Sequence, residues 1–254
     1  TLKAWQDSAN VFKNYFKRAK INRINTAVIS QYAHDYVDKH HATVSKSSTI
    51  AKRLSHMRNF FKSLDGKVIK GNPVPANALK MFFRQSDFSI SQERYIFTPD
   101  ELAKIRDLII SDLQTIDYIP NWIGRLAVLV ESYIGMRVNE LQALKFKNII
   151  QIDNKWTFKI NNSWSDYIKD FNGSLKARPK GYSRTLVPVP EGLIKLLRLF
   201  ETEQKEFLEN HNYKNSLDLI FLNLHDHRSV ASNIPITQHS INDMLKLICK
   251  RLSI

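Results

Sequence analysis

Cysteine is nearly missing from this 254-residue chain: Cys249 is the only one. A lone thiol forms no internal disulfide, and no Cys/His cluster carries zinc spacing, so a disulfide scaffold and a zinc module are both excluded. A reducing, intracellular setting is the expectation that follows. Long apolar runs are also missing. The best candidate, near 126–134, is broken by Glu131 and falls well short of the roughly 18 apolar residues that a membrane-spanning helix needs. The chain starts at Thr1 with neither an initiator methionine nor a signal-peptide pattern, so it reads as a fragment or a processed product. Acidic residues are scarce as well. Against 38 Lys and Arg stand 24 Asp and Glu, a net charge of +14, which points to a polyanionic partner and to nucleic acid before membrane.

What the chain does have is a core and an uneven distribution of charge. Hydrophobic residues make up 43% of it, enough to fold one large domain or two ordinary ones. Residues 1–88 hold 16 Lys or Arg against 5 Asp or Glu, a net of +11, and residues 89–254 carry only +3. One segment is therefore suited to gripping a polyanion, and the other is closer to neutral.

The basic segment reads as all helix. Trp5, Phe12 and Phe16 supply one apolar stripe, and Ile24-Asn25-Thr26 introduces a second helix. Ser45-Lys46-Ser47-Ser48-Thr49 looks like an N-cap cluster. In the helix after it, Ile50, Leu54, Met57, Phe61 and Leu64 form a buried face, with Lys52, Ser55, Asn59 and Lys62 projecting the opposite way. Gly71-Asn72-Pro73-Val74-Pro75 breaks the helical pattern, a short helix follows through Ala78 to Phe83, and Arg84 to Arg94 is polar and aperiodic. Thr98-Pro99-Asp100-Glu101 then restarts a helix with an N-cap, an N1 proline and an acidic first turn.

Residues 122–144 organise the rest. Apolar residues at 122, 126, 129, 130, 133 and 134 follow helical spacing, Gly135 interrupts, and a second helix restarts with Val138, Leu141 and Leu144 inward. Arg137 falls in the corner, aimed from an apolar surround beside a helix N-terminus, a combination suited to holding an anion such as phosphate. Glu140 stands three residues on, within reach of the guanidinium. Beyond it, Ile149 to Ile160 alternates around Asp153-Asn154-Lys155 as a β-hairpin, and Thr185 to Pro190 reads as a third strand. The polar stretch 161–175 has no assigned role. Glu191 to His211 is a long amphipathic helix, and Thr237 to Leu252 is the last one.

Gly-Met-Arg-Val-Asn-Glu-Leu-Gln-Ala-Leu, residues 135–144, resembles the first catalytic-arginine box of the tyrosine recombinases, the phage integrase family. The glycine, the arginine, the glutamate and both leucines fall in register. Ser-Ser-Thr-Ile-Ala-Lys-Arg-Leu-Ser-His-Met-Arg-Asn-Phe-Phe, residues 47–61, resembles a helix of that family's core-binding domain. Lys176 to Thr185 resembles its lysine-bearing β-hairpin. The resemblance implies a mainly α fold: a helical core-binding domain (1–86), a linker (87–94), and a C-terminally truncated mixed α+β catalytic domain (95–254) with a small three-stranded antiparallel sheet.

It also implies metal-free, cofactor-free strand breakage and rejoining of double-stranded DNA through a 3′-phosphotyrosyl intermediate. The intact enzyme would work as a homo-oligomer on DNA, in the cytoplasm of a prokaryotic cell or phage-infected host. Arg137 would hold the scissile phosphate with Glu140 in support, and Lys176 or, as second choice, Lys180 would be the general acid. Lys46, Ser48, Lys52, His56, Asn59, Lys62 and Arg184 would contact DNA. His225-Asp226-His227-Arg228 is rejected as the family's histidine-x-x-arginine box, because it precedes the final helix, and is read as a solvated loop. The second arginine, its histidine and the nucleophile have no matching positions, so the chain as given is expected to bind DNA without cleaving it. A non-catalytic helical DNA-binding regulator is the alternative; an RNA-binding module is disfavoured because no aromatic RNP-type strand is present.

Deleting residues 1–88 should sharply weaken duplex binding and flatten the fall of log affinity with log salt, since phosphate contacts by Lys and Arg set that slope. A salt titration of both proteins checks this, and an unchanged slope would show that the basic segment is not the gripping part.

Overall fold

A computed structural model describes residues 2–40, 47–88 and 95–254. Lys46 and most of the linker assigned to 87–94 lie outside the described residues. By internal contacts the chain divides into two units, Thr1–Tyr95 and Ile96–Ile254. It is mainly helical, with a small three-stranded antiparallel sheet in the second unit. No helix among the described residues is long and apolar enough to cross a membrane.

Among the described residues the first unit is built on four α-helices, α1 (Leu2–Phe16), α2 (Thr26–Lys39), α3 (Ser47–Leu64) and α4 (Ala78–Phe82). Asn25 caps α2, its side chain accepting from the Val28 amide. Ile29, Tyr32, Ile50, Leu54, Met57 and Phe61 form the core, and the Phe12 ring packs onto it 5.8 Å from Phe61. Trp5, expected in the apolar stripe of α1, is 39% exposed. The breaker region closes on itself: Asn72 donates to the Arg58 carbonyl at 2.8 Å, and Arg58 donates to the Val74 carbonyl.

The second unit is organised around α6 (Pro120–Tyr133), buried on nearly every side by α5 (Pro99–Leu113) and α10 (Gln238–Leu252). Such a helix needs apolar residues all round, which explains Ile123, Ala127 and Val128 alongside the expected positions. Gly124 sits where α10 comes closest; a Cβ there would meet Met244 at 3.3 Å. Thr98 and Glu101 close the capping box at the start of α5. Asp112, near the end of α5, receives Arg125 of α6 at 3.0 Å and both terminal nitrogens of Arg251 in α10, tying the three helices together.

Strands β1 (Ile149–Ile152) and β2 (Lys155–Ile160) pair antiparallel, with Ile152 opposite Lys155. The two-residue turn puts both Asp153 and Asn154 at positive φ (48° and 59°), the twist such hairpins require. The segment 161–175 is more than a connection. It folds back as a second, two-stranded hairpin, β3 (Trp164–Ser165) with β4 (Asp170–Phe171), and Trp164 is 1% exposed beneath it. The third strand of the main sheet is shorter than expected: β5 is Arg184–Thr185, paired with Lys159 and Ile160. Beyond it Leu186 and Val189 still donate to the Phe158 and Trp156 carbonyls, but Pro188 and Pro190 have no N–H to continue a ladder.

Helix α8 (Glu191–Asn210) and the fully buried Leu219 to Leu222 complete the core. His225 to Arg228 is not simply a solvated loop: Asp226 caps a short helix, α9 (His227–Ala231), by accepting from Arg228 and Ser229. The sequence has an Asx cap there but only one turn of helix after it, too short to leave a periodic trace.

Two predictions follow from this packing. Asp112→Ala leaves Arg125 and Arg251 without their shared carboxylate and should cost about 2 kcal/mol of unfolding free energy, readable in a urea titration. Glu131, half-buried on α6, is pushed up to about 7 by burial, with a backbone hydrogen bond at Met136 opposing the rise and the Glu140 charge adding to it. Its folded pKa thus lies above its unfolded one, so the stability it contributes is full at pH 4 and is lost as pH rises through 7. Glu131→Gln should therefore stabilise the protein by roughly 2 kcal/mol at pH 8 relative to pH 5, as a pair of denaturation curves would show.

Candidate functional site

The corner bearing Arg137 is made of extended chain. Helix α6 ends at Tyr133, and Ile134 (φ −138°, ψ 110°) already has strand geometry. Ile134 and Met136 turn inward, at 2% and 9% exposure, while Gly135 and Arg137 face out. That alternation is the period of an extended segment, and it places the guanidinium on the surface. Gly135 is not a left-handed helix cap; its φ is not positive. The helix that follows, α7 (Val138–Gln142), is a single turn. A helix this short has little macrodipole, so the guanidinium, rather than a helix N-terminus, is the anion-binding element of the corner.

Glu140 is the buried member, with its side chain 1% exposed. Its carboxylate accepts from Arg137 Nη1 at 3.1 Å, from the Arg137 backbone N–H at 3.2 Å and from Arg184 Nη2 at 2.6 Å. Burial works against its charge, but the Arg137 N–H and the two guanidinia outweigh it and hold Glu140 below the usual carboxylate value. Arg137 itself is 60% exposed along its side chain, not enclosed in an apolar surround; it is steered by Glu140 and open to solvent.

Arg137 and Lys176, 39 residues apart, line one cavity of about 500 Å³. Glu140, Asn139, Asn172 and Arg178 line it too. Lys176 follows the buried Leu175, which pins the loop. Lys180 is exposed and does not line the cavity. Arg184, named from the sequence as a DNA contact, has its guanidinium on Glu140 and so braces the corner from β5. Nothing in the sequence signalled this brace, or the parts of Asn139, Asn172 and Arg178, because each depends on a pairing between segments 25 to 44 residues apart or on lining a common cavity.

In the first unit, Ser48, Lys52, Ser55, Asn59 and Lys62 are exposed along α3, opposite its buried face. His56 differs. Its ring stacks on Trp5 at 4.3 Å, and Nδ1 pairs with Ser8 Oγ at 2.8 Å, so it joins α3 to α1 and is half-buried. It lines an apolar groove with Trp5, Phe12 and Phe60. Lys46 lies outside the described residues.

Comparison with known proteins adds the following. Residues 1–65 match the family model for the phage integrase N-terminal SAM-like domain. No curated protein matches the chain. Among solved structures, XerH site-specific recombinase bound to palindromic difH substrate, a post-cleavage complex, is similar over 99% of this chain and 62% of that one, at 18% identity and a TM-score of 0.67. Tn1549 transposon integrase in complex with transposon right end DNA is similar over 92% of this chain and 66% of that one, at 14% identity and a TM-score of 0.58. The chain thus spans less than two thirds of each. Residues 1–65 are similar to the phage integrase N-terminal SAM-like domain, and the chain as a whole shares the fold of these recombinase and integrase structures.

Proposed function

We propose that the Arg137 corner is the phosphate-binding part of a metal-free DNA strand-transfer site and that the protein is a site-specific recombinase or integrase. The observation that carries this reading is the single cavity shared by Arg137 and Lys176, with Arg137 steered by a buried carboxylate. A phosphodiester seated there would receive N–H donors from Arg137 on its non-bridging oxygens, where charge develops during displacement. A tyrosine oxygen would form the new bond to phosphorus as the bond to the 5′-oxygen breaks. Lys176, on the other side of the cavity, would give that oxygen its proton. Rejoining runs the same steps backwards, with the bond energy kept in the 3′-phosphotyrosyl link. None of the tyrosines lines the cavity: Tyr133 lies under Arg106, Tyr182 under Arg178 and Tyr213 beside His227. The nucleophile has no matching position in these 254 residues, which as given would bind DNA without cutting it.

The exposed polar face of α3 would meet phosphates and the major groove, with Lys52 and Lys62 supplying salt-dependent affinity and Asn59 a base-edge contact. Ser48 would extend that contact at the start of α3. Because the His56 ring is stacked and bonded to α1, we give it a smaller share in DNA contact than Asn59. The XerH and Tn1549 structures are DNA complexes, which supports double-stranded DNA as the partner here; assembly of several copies on DNA, in the cytoplasm of a prokaryotic or phage-infected cell, fits the same reading.

The test is a covalent-complex assay with the full-length protein on a nicked site. A DNA adduct that survives denaturant is expected, and Arg137→Lys should lose at least about 100-fold in strand transfer while keeping DNA affinity, because lysine cannot make bidentate contacts. A bound site that yields no adduct would leave a non-catalytic DNA-binding regulator as the better account.

A further inference from the structure

The two sides of the cavity meet at one carbonyl oxygen. Trp164 O accepts from Asn139 Nδ2 at 2.8 Å and from Asn172 Nδ2 at 3.1 Å. Asn139 stands two residues after Arg137, in α7; Asn172 stands four before Lys176, just past β4. Both asparagines line the cavity.

The carbonyl between them is itself held. The Trp164 ring is 1% exposed and meets Phe171 edge-on at 5.3 Å. The Asn172 backbone N–H donates to the Ser163 carbonyl at 2.8 Å, and its side chain also reaches Ser163 Oγ at 3.0 Å. Ser163 Oγ donates in turn to the Ser174 carbonyl at 2.9 Å, and Asn162 Oδ1 takes the Gly173 N–H at 3.0 Å. The chain from 162 to 174 is cross-tied at almost every residue, and Leu175 then enters the core.

We propose that Asn139 and Asn172 are positioning residues that fix the Lys176 loop relative to Arg137 by sharing the Trp164 carbonyl. The proposal rests on reading the cavity as a phosphate site. The physical need is plain: a lysine ammonium rides on a four-carbon stem with considerable rotamer entropy, and here it leaves an exposed loop. Placing its nitrogen on one phosphate oxygen requires the backbone at 176 to be set by something other than the side chain. A carbonyl oxygen can be engaged only by a donor, and the amide side chains at 139 and 172 each supply an N–H that reaches it.

The test uses the full chain, with inorganic phosphate as probe and hydrogen exchange as a second measurement. Asn139→Ala, which loses one hydrogen bond, should speed exchange at the amides of 174–178 by about tenfold, and Asn172→Ala, which loses two, by at least as much, with α5 and α6 unchanged. Each should also weaken phosphate binding severalfold, and that weakening should vanish in a Lys176→Ala background, because the asparagines act through the lysine. Unchanged exchange at 174–178, or an equal loss of phosphate affinity with and without Lys176, would overturn the positioning role. A different result sinks the underlying reading: if Arg137→Ala leaves phosphate binding as in the parent chain, the cavity is not the phosphate site, and the proposal goes with it.

Discussion

A carboxylate with 1% of its side chain exposed stands behind Arg137, and it cannot remain charged there without donors. Glu140 has three. One is the backbone N–H of Arg137, which fixes where the extended segment turns into α7. The second is the Arg137 guanidinium, and the third is Arg184, which brings β5 to the same point. Each donor comes from a different structural feature, so the single buried charge locates a loop, a side chain and a sheet edge together. Removing any of them would leave the others facing an undercompensated charge, and this makes the corner rigid although Arg137 itself lies at the surface.

The extended segment before that corner explains a second feature. If α6 had run on through 137, helical spacing would have decided which way the arginine points. Because the chain is extended from Ile134 to Arg137, inward and outward positions alternate, and Met136 is anchored while its neighbour is released. The half-buried Glu131, whose raised pKa comes first from burial, accepts a hydrogen bond from the Met136 backbone. The arginine is therefore presented by a strand-like strap held at both ends, between a helix buried on nearly every side and a one-turn helix capped by its own third residue.

Much of this was legible in the chain because it depended on local patterns. The period of α6, the capping box at Thr98, the hairpin turning at Asp153-Asn154 and the polar face of α3 each rest on residues within a few positions of one another. The hairpin over 164–171 was not legible. Two-residue strands have no periodicity to detect, and what stabilises this one is a buried tryptophan and asparagine ties to α7 across 25 residues. The same limit hid Arg184, whose position in a basic segment suggested a phosphate partner although the structure gives it a carboxylate. His56 shows the converse. A polar residue near an exposed helix face reads as available until the neighbouring helix places a tryptophan ring on it.

The remaining question is how a site can be both preorganised and open. Arg137 makes its side-chain hydrogen bond through Nη1 to Glu140, and with 60% of that side chain exposed the rest of its planar fork faces the cavity side rather than the core. A guanidinium suits this divided duty because its donors are rigidly splayed: one edge can be tied down while another recognises an anion. Charge supports the arrangement. Arg137 and Arg184 carry two positive charges against the one on Glu140, so the corner keeps a net +1 before Lys176 and Arg178 are counted. A neutralised corner would have been more stable but indifferent to phosphate, and an unbraced one would have drawn the anion without orienting it. A shared, buried carboxylate with one arginine on each oxygen meets both requirements.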